Sequence, residues 1–286
     1  MSLDWANTFA NDCCDRGLIQ KGICLILGAA DTGKTTLAQA LARQAARDSS
    51  VALIDADTGQ SHIGPPTTVG WSVIDSPDTD FLQLSADGIS FVGDITPIGH
   101  LLQLTAAIVR CVRQAARVAD LLVIDTPGLV TGPAATALWW TVQRILQPHL
   151  LLAVQRHNEL AQLLSGLKSF DTKVEMVRCP QQTAPKSPDH RRKYRAEQFR
   201  RYFHNSRLYN ISLNEVAIQT AYYRDRENML NRLAALRDAA GTDRAVALIE
   251  DWQPDKPAAS IRAPDVDIDR IRCLVIADLT LDTNTP

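Results

Sequence analysis

Residues 28–36 decide the fold of this chain and read Gly28-Ala29-Ala30-Asp31-Thr32-Gly33-Lys34-Thr35-Thr36. The stretch matches the pattern GxxxxGK[ST] in full. It stands between an apolar run at 23–27 and a segment at 34–47 with alanine and leucine at helical spacing. A strand, a glycine-rich loop and a helix in this order predict a P-loop, whose backbone amides and helix N-terminus surround phosphate groups. The chain is therefore expected to bind ATP or GTP together with Mg²⁺.

Two residues of this loop carry specific chemistry. Lys34 is expected to reach the β- and γ-phosphates with its ammonium group, and Thr35 offers a hydroxyl ligand to Mg²⁺. The whole stretch from Gly28 to Thr36 is predicted to line the nucleotide. Its other members are Ala29, Ala30, Asp31, Thr32 and Gly33.

Short apolar runs and helix-length stretches alternate after the loop. The runs predicted as strands are 51–55, 90–92, 121–125, 150–154 and 174–177. The stretches predicted as helices are 99–119, 134–147 and 159–170. Strands that are buried on both faces and alternate with helices indicate a mostly parallel sheet flanked by helices. The predicted fold class is α/β, of the P-loop NTPase type.

The character of the sequence changes after residue 180. Residues 180–207 are rich in proline and then in arginine, and short alternating stretches follow from Leu208 onward. We predict a P-loop domain over 1–207, with an arginine-rich helical lid at about 180–203, and a small, mostly β C-terminal domain over 208–286. A helical piece is expected at about 226–240. The P-loop strand is expected almost at the start of the chain.

Composition narrows the class of protein. The chain has 286 residues, of which 45% are hydrophobic, and its formal net charge of −2 argues against a uniformly basic nucleic-acid binder. The six cysteines show no spacing typical of zinc sites or disulfide frameworks. Neither a signal peptide nor a membrane-spanning run is recognisable. A cytoplasmic protein without a membrane partner is the expectation.

Carboxylates follow two of the predicted strands. Asp125 ends an apolar run and precedes Thr-Pro-Gly, which makes it a candidate Mg²⁺-site group; its alternative role is to cap the following loop. Asp55 ends the run at 51–55 and Asp57 follows two residues later, so the two point to the same side if the strand persists. A carboxylate beside the γ-phosphate can orient a hydroxyl and take its proton. A solvated turn is the alternative for this pair.

A basic cluster lies between residues 186 and 207. Eight lysines and arginines stand against two acids there, a local charge of +6. Ser187 followed by Pro188 predicts the start of a helix, on which Arg191 and Arg195 are one turn apart. Such a cluster can be a solvated helix face. In a P-loop protein it can also close over a transferring phosphoryl group or hold a polynucleotide backbone.

Several segments in order resemble the P-loop polynucleotide 5'-hydroxyl kinases. This family includes the kinase subunit of the pre-mRNA cleavage factor and the nucleolar kinase of ribosomal RNA processing, and the chain is most similar to compact prokaryotic members. The resemblance covers about 22–203. Its segments are GAADTGKTT (28–36), DADTGQSHIGPPTTVG (55–70), FVGDITPIGHLL (91–102), VIDTPGLVTG (123–132), PHLLLAVQRHNEL (148–160) and RRKYRAEQFRRYF (191–203).

The resemblance implies ATP-dependent transfer of the γ-phosphate to the 5'-hydroxyl end of RNA or DNA. It implies that Lys34 and Thr35 bind phosphate and Mg²⁺ and that Asp57 activates the hydroxyl. Arg191 and Arg195 match the arginine pair of the family's lid.

Substrate binding and metal binding complete the expected site. Metal binding is assigned to Thr35, Asp57 and Asp125. Substrate binding is assigned to Gln60, Thr96, His100 and Arg192.

The sequence departs from the family pattern at two positions. Ile98 stands where some members have an asparagine that helps to hold the substrate, and His100 is a candidate replacement. Leu129 stands where some members have a tryptophan that stacks on the terminal base, so this base clamp is expected to be absent.

Two other classes of function compete with the kinase. Asp125-Thr-Pro-Gly128 also suits the switch segment of a nucleotide-dependent switch or metal-delivery GTPase or ATPase. The chain contains no Asn-Lys-x-Asp motif for guanine recognition, and such a protein has no obvious use for an arginine-rich lid. A non-catalytic ATP-binding subunit of an RNA-processing complex is the second alternative.

Overall fold

The computed structural model of the protein describes residues 4–19, 21–167, 171–180, 185–220, 229–253 and 257–281. The α-helices of these residues are α1 (Asp4–Asp15), α2 (Lys34–Ala45), α3 (Leu101–Ala115), α4 (Gly132–Leu146), α5 (Ala161–Leu167) and α6 (Pro188–Phe203). The N-terminal strands are β1 (Gly22–Gly28), β2 (Val51–Asp55), β3 (Thr68–Ile74), β4 (Gly88–Phe91), β5 (Leu121–Asp125), β6 (Leu150–Gln155) and β7 (Lys173–Arg178). The C-terminal strands are β8 (Arg207–Ser212), β9 (Ala217–Thr220), β10 (Arg232–Asp238), β11 (Asp243–Trp252), β12 (Ala258–Ala263) and β13 (Ile271–Thr280).

Five strands form a parallel sheet around the P-loop strand. Their order is β7-β6-β1-β5-β2; β3 then pairs antiparallel with β2, and β4 pairs antiparallel with β3. In the register of β2 and β5, Asp55 is paired with Asp125, and Ile26 of β1 is paired with Asp125 on the other side. The topology therefore brings both carboxylates to the sheet edge at which the P-loop begins.

Alternation along the central strands divides their side chains between two cores. Leu25 and Leu27 face a core that α3, α4 and α5 cover, whereas Cys24 and Ile26 face a core that α1 and α2 cover. Because both faces are buried, these strands are apolar at nearly every position, which is the pattern that made them recognisable. The predicted α/β P-loop fold is confirmed.

The C-terminal strands continue the same sheet. β11 pairs with β4 at Asp243 and Ile89, and the path then runs through β10 and β13 to β9, while β12 and β8 branch from β11. Phe199 of α6 packs with Phe91 and Leu248 at this junction. The predicted boundary at residue 207 coincides with the first residue of β8, and the division into two domains stays a prediction.

The prediction of a helix at 226–240 was wrong. Residues 232–238 form β10, which pairs antiparallel with β11 and β13, and residues 226–228 lie outside the described residues. All four residues from Leu233 to Leu236 are buried. A run of alanine and leucine suits a helix by propensity, but burial on both faces of a sheet requires the same apolar residues.

Two further elements escaped prediction. Helix α1 precedes the P-loop strand and packs Ala6, Ala10 and Cys13 into the core shared with α2. Strand β3 runs antiparallel between β2 and β4, where the sequence had suggested no strand. None of the described helices is long and apolar enough to cross a membrane.

Candidate active site

The P-loop joins the end of β1 to the start of α2 in the geometry expected of a phosphate cradle. Gly33 has a φ of 90°, a left-handed conformation that suits glycine. A Cβ atom at Gly28 would come within 2.6 Å of the Val154 carbonyl oxygen and 2.8 Å of the Thr32 hydroxyl. The turn therefore closes only with glycine at position 28, and its backbone is free to approach phosphates.

Lys34 lies at the base of this cradle. Its side chain is buried, and its ammonium group donates a hydrogen bond to the Ala29 carbonyl at 2.8 Å. Burial lowers the pKa of Lys34, and the nearby carboxylate of Asp125 opposes this effect. A phosphate anion beside the ammonium group would favour the charged form in the same way.

The surroundings of Asp125 suit a carboxylate that binds a metal ion. Its Oδ2 accepts a hydrogen bond from the Thr35 hydroxyl at 2.6 Å. Its Oδ1 is buried and has no hydrogen-bond partner among the described residues. Burial raises the pKa of Asp125 to about 6, against the opposing charge of Lys34. An unpartnered buried carboxylate oxygen next to a P-loop threonine fits Mg²⁺, which takes few protein ligands and completes its shell with phosphates and water.

Asp55 has a different role from the one that strand alternation suggested. Strand β2 ends at Asp55, and the carboxylate turns inward to accept hydrogen bonds from the backbone amides of Asp57, His62 and Ile63. Burial and the charge of Asp125 raise the pKa of Asp55. Asp55 therefore organises the loop at 57–63 rather than joining Asp57 at the surface of the site.

Asp57 is held in place by its own loop. Its Oδ1 accepts hydrogen bonds from the amides of Gly59 at 3.0 Å and Gln60 at 3.1 Å. Asp57 lies near enough to both Lys34 and Arg195 to stabilise their charges. The loop thus fixes one oxygen of this carboxylate, and the role of Asp57 as a base stays a prediction.

The segment that contains Thr96 packs against this loop. A Cβ atom at Gly59 would come within 2.7 Å of the Ile95 carbonyl oxygen, so the two backbones are in close contact. Thr96 is exposed, and its amide donates to Asp94. His100 precedes α3, and its Nδ1 is buried without a partner among the described residues. The substrate-binding roles of Thr96 and His100 stay predictions.

The helix predicted in the arginine-rich segment is confirmed as α6, and its role as a lid stays a prediction. The Ser187 hydroxyl accepts a hydrogen bond from the His190 amide, and Pro188 occupies the first turn, as the sequence indicated. The lid contacts the 57–63 loop in two places. Lys186 donates to the side-chain oxygen of Gln60 at 3.3 Å, and the Tyr194 hydroxyl donates to the Ser61 carbonyl at 3.1 Å.

The three lid arginines of the predicted site lie in different places. Arg191 contacts the P-loop through the Asp31 carboxylate, at 2.6 Å. Burial lowers the pKa of Arg195, as does the neighbouring charge of Arg191, while Asp57 opposes both. Arg192 points away and pairs at the surface with Asp189. The structure thus brings Arg191 and Arg195 to the site but leaves Arg192 outside it.

Two residues at the P-loop, Arg156 and Trp5, were missed by sequence reasoning, and a third, Gly128, was named only as part of the segment that follows Asp125. Arg156 follows β6 and donates to the carbonyl groups of Ala30 and Asp31. Gly128 lies so close that a Cβ atom would be 2.6 Å from the Ala30 amide nitrogen, and the Trp5 ring lies against Gly33. The position of Arg156 beyond a strand beside β1 was a usable signal, but no pattern pointed to Trp5 on α1.

The tryptophans near Leu129 belong to packing. Trp139 is fully buried and donates to the Leu129 carbonyl at 2.6 Å. Trp140 is 39% exposed, but its ring lies against Gly166 of α5, and its nitrogen donates to the Leu163 carbonyl. Both rings therefore contribute to the packing of α4, and the absence of the base clamp stays a prediction.

Comparisons with known proteins agree with this geometry. The family model of the mRNA cleavage and polyadenylation factor CLP1 P-loop matches residues 28–205. The chain is 33% identical over 195 residues to a polyribonucleotide 5'-hydroxyl-kinase of Pyrococcus abyssi, covering 68% of this chain and 54% of the relative. It is 30% identical over 197 residues to a protein of the same name from Methanocaldococcus jannaschii, with 68% and 54% covered. The chain spans about half the length of these curated relatives.

Solved structures extend the likeness in fold to nearly the whole chain. The wild-type Clp1p–Pcf11p complex matches with a TM-score of 0.70 at 11% identity, covering 98% of this chain and 79% of the other. A second structure, on the extended interface between Pcf11p and Clp1p, matches with a TM-score of 0.71 at 12% identity and the same coverage. Since the family model covers well over half of the sequence, the chain belongs to the CLP1 P-loop family.

Proposed function

We propose that the protein is an ATP-dependent polynucleotide kinase that phosphorylates the 5'-hydroxyl end of RNA. The observation that carries the proposal is the position of α6, which contacts both the P-loop and the 57–63 loop. Arg191 of this helix thereby pairs with Asp31 of the P-loop, and Asp57 is close enough to both Lys34 and Arg195 to interact with their charges. The printed names of the relatives, polyribonucleotide 5'-hydroxyl-kinases, support the same activity and favour RNA over DNA.

The donor side of the reaction depends on the P-loop. Its backbone amides and the Lys34 ammonium group would hold the β- and γ-phosphates of ATP. Thr35 and Asp125 are the residues that would hold Mg²⁺, whose charge would screen the phosphates when bound. Arg156 ties the loop carbonyls to the end of β6 and so keeps the cradle in shape.

The acceptor side depends on Asp57 and the lid. Asp57 would accept the proton of the 5'-hydroxyl. The hydroxyl oxygen would form a bond to the γ-phosphorus while the bond between this phosphorus and the bridging oxygen breaks, and ADP would leave. The charges of Arg191 and Arg195 would stabilise the negative charge on the transferring phosphoryl group in the transition state. Asp55, which ties down the backbone of the same loop, keeps Asp57 at its place.

End labelling tests the proposal directly. The purified protein is incubated with Mg²⁺, γ-labelled ATP and matched RNA and DNA oligonucleotides that carry a 5'-hydroxyl. Label is expected at the RNA 5' end, and oligonucleotides with a 5'-phosphate should stay unlabelled. Nucleotide hydrolysis without labelling would indicate a switch protein, and nucleotide binding without turnover would indicate a non-catalytic subunit. GTP in place of ATP measures donor choice.

Arg195→Ala is expected to affect turnover more than binding. An arginine that acts on charge developing in the transition state is worth more there than in the ground state, so kcat should fall by roughly a hundredfold while KM changes little. Steady-state labelling over a range of RNA concentrations measures both constants. Arg200→Ala is the matched control, since Arg200 lies on the same helix and pairs with Glu197 at the surface. A change confined to KM would make Arg195 a backbone contact only.

Binding of the oligonucleotide is expected to depend on salt and little on the first base. Stacking on an aromatic ring is worth about 1–3 kcal/mol per base, and Leu129 offers only a small apolar contact. Phosphates that meet the basic lid should supply most of the affinity, which falls as salt rises because counterions are released. Affinities of short RNAs with each of the four first bases, at two salt concentrations, measure both effects.

Leu129→Trp provides the complementary test. This variant should bind short RNAs more tightly without a change in salt dependence, because stacking adds no charge. A strong base preference with weak salt dependence in the original protein would show that a stacking residue exists elsewhere.

A further inference from the structure

An acidic residue lies inside the loop that is proposed to bind a polyanion. Asp31 is the fourth residue of the P-loop stretch, its side chain is only 7% exposed, and its backbone has a φ of 57°. A buried carboxylate beside phosphate-binding amides opposes anion binding unless another group offsets its charge. The Asp31 carboxylate is therefore expected to have a cationic partner.

The partners of the carboxylate come from the lid. Oδ2 of Asp31 accepts a hydrogen bond from the Arg191 guanidinium at 2.6 Å and another from the Lys186 amide at 3.0 Å. These contacts join the phosphate loop to the segment that leads into α6 and to the first turns of the helix. Asp31 is thus the residue through which P-loop and lid are connected by charge.

Arg191 keeps donors available after this contact. A guanidinium group has five N–H donors, and the contact with Asp31 uses one nitrogen, Nη2. The Nε of Arg191 is buried and has no partner among the described residues. The guanidinium group, whose side chain is 33% exposed, is therefore held against the P-loop with N–H donors left for phosphoryl oxygens.

We propose that Asp31 is a positioning residue, which docks the lid on the P-loop and sets the place of the Arg191 guanidinium over the phosphate site. The kinetic part of this inference rests on the proposed kinase activity. The docking of the lid does not, since it concerns two segments of the chain alone.

Asp31→Asn removes the charge of the side chain while keeping the backbone conformation. Asparagine, like aspartate, tolerates the left-handed conformation that position 31 adopts, so the loop keeps its shape. The variant loses the negative charge and with it most of the attraction for Arg191. Loss of the same charge also removes repulsion toward the nucleotide. Weaker docking with equal or tighter ATP binding is therefore expected, a combination that damage to the loop would not produce.

Lid docking can be measured without any reaction. Trypsin cleaves after the basic residues of α6, and cleavage of a transiently open segment follows the open fraction. Asp31→Asn should raise the rate of cleavage within 191–195 about threefold to tenfold, which is the change in the open fraction expected from the loss of one partly buried ion pair. Glu197→Gln is the matched control, because it removes one negative charge from a surface pair on the same helix and should leave the rate unchanged.

Kinetics then test the positioning role. Asp31→Asn should lower kcat by roughly tenfold to a hundredfold, as expected when a catalytic group is misplaced. The double variant Asp31→Asn with Arg191→Ala should be no slower than Arg191→Ala alone, because both changes remove the same contribution. Asp31→Glu should recover part of the rate.

The outcomes separate the two proposals. Cleavage at the original rate in Asp31→Asn, weaker ATP binding, or multiplicative losses in the double variant would each overturn the inference about Asp31. Faster lid cleavage with tighter ATP binding in a protein that labels no RNA ends would support docking by Asp31 and contradict the proposed kinase function.

Discussion

Lys34→Ala is expected to lower the rate of 5'-end labelling by a factor of about a thousand or more. Lys34 is buried at the base of the cradle, and in the proposed reaction its ammonium group is the side-chain cation that reaches both the β- and the γ-phosphate. Alanine removes this charge from a buried position, where electrostatic interactions are stronger than in bulk water. Labelling of a 5'-hydroxyl RNA by γ-labelled ATP measures the effect.

Its control is a lysine outside the site. Lys21→Ala removes an exposed surface lysine just ahead of the P-loop strand, whose ammonium group lies 3.5 Å from Asp120, and this change should leave the rate nearly unchanged. Thermal unfolding of both variants checks that the fold is kept. Labelling by Lys34→Ala at the original rate would show that the donor site has been assigned to the wrong loop.

The parallel half of the fold could be predicted because its physical signals are strong. Strands such as β2 and β5 are buried at every position, which leaves a continuous apolar run in the sequence. Each of these runs ends in an aspartate, and parallel strands bring their carboxyl ends to one edge. For this reason the sequence alone predicts that Asp125 and Thr35 belong to one metal site.

The antiparallel half gave weaker signals. The central residues of β10, Leu233 to Leu236, are as buried as those of β5, but their alanines and leucines favour a helix by propensity, and pairing with the neighbouring strands overrides that preference. Pairing between β4 and β11 joins residues far apart in sequence, and no local pattern encodes it. The contact of Asp31 with Arg191 is of the same kind, since it spans 160 positions.

The role of each aspartate at the sheet edge depended on what happens after the strand. Asp55 and Asp57 are two positions apart, and an extended strand would have pointed them to one side. Because β2 ends at Asp55, one carboxylate turns inward to bind three backbone amides, and the other is left facing the lid. Alternation alone could not decide this, whereas the resemblance to the kinase family singled out Asp57.

Asp57→Asn is expected to stop phosphoryl transfer while ATP still binds. Loss of a general base costs about a hundredfold to ten-thousandfold in kcat, and an amide cannot accept the proton of the 5'-hydroxyl. The side-chain oxygen of asparagine can still accept the hydrogen bonds of Gly59 and Gln60, so the loop should keep its conformation. Single-turnover labelling measures the chemical step, and equilibrium binding of ATP in the presence of Mg²⁺ measures the donor site.

Asp125→Asn is the matched comparison, because it makes the same chemical change at the other carboxylate. Asparagine retains an oxygen that can accept the Thr35 hydrogen bond but loses the charge that would face Mg²⁺. This variant should require a higher Mg²⁺ concentration and recover much of its rate when Mg²⁺ is saturating, whereas Asp57→Asn should gain nothing from added metal. Equal sensitivity of the two variants to Mg²⁺ would mean that both carboxylates serve the metal and that the proton of the hydroxyl leaves by another route.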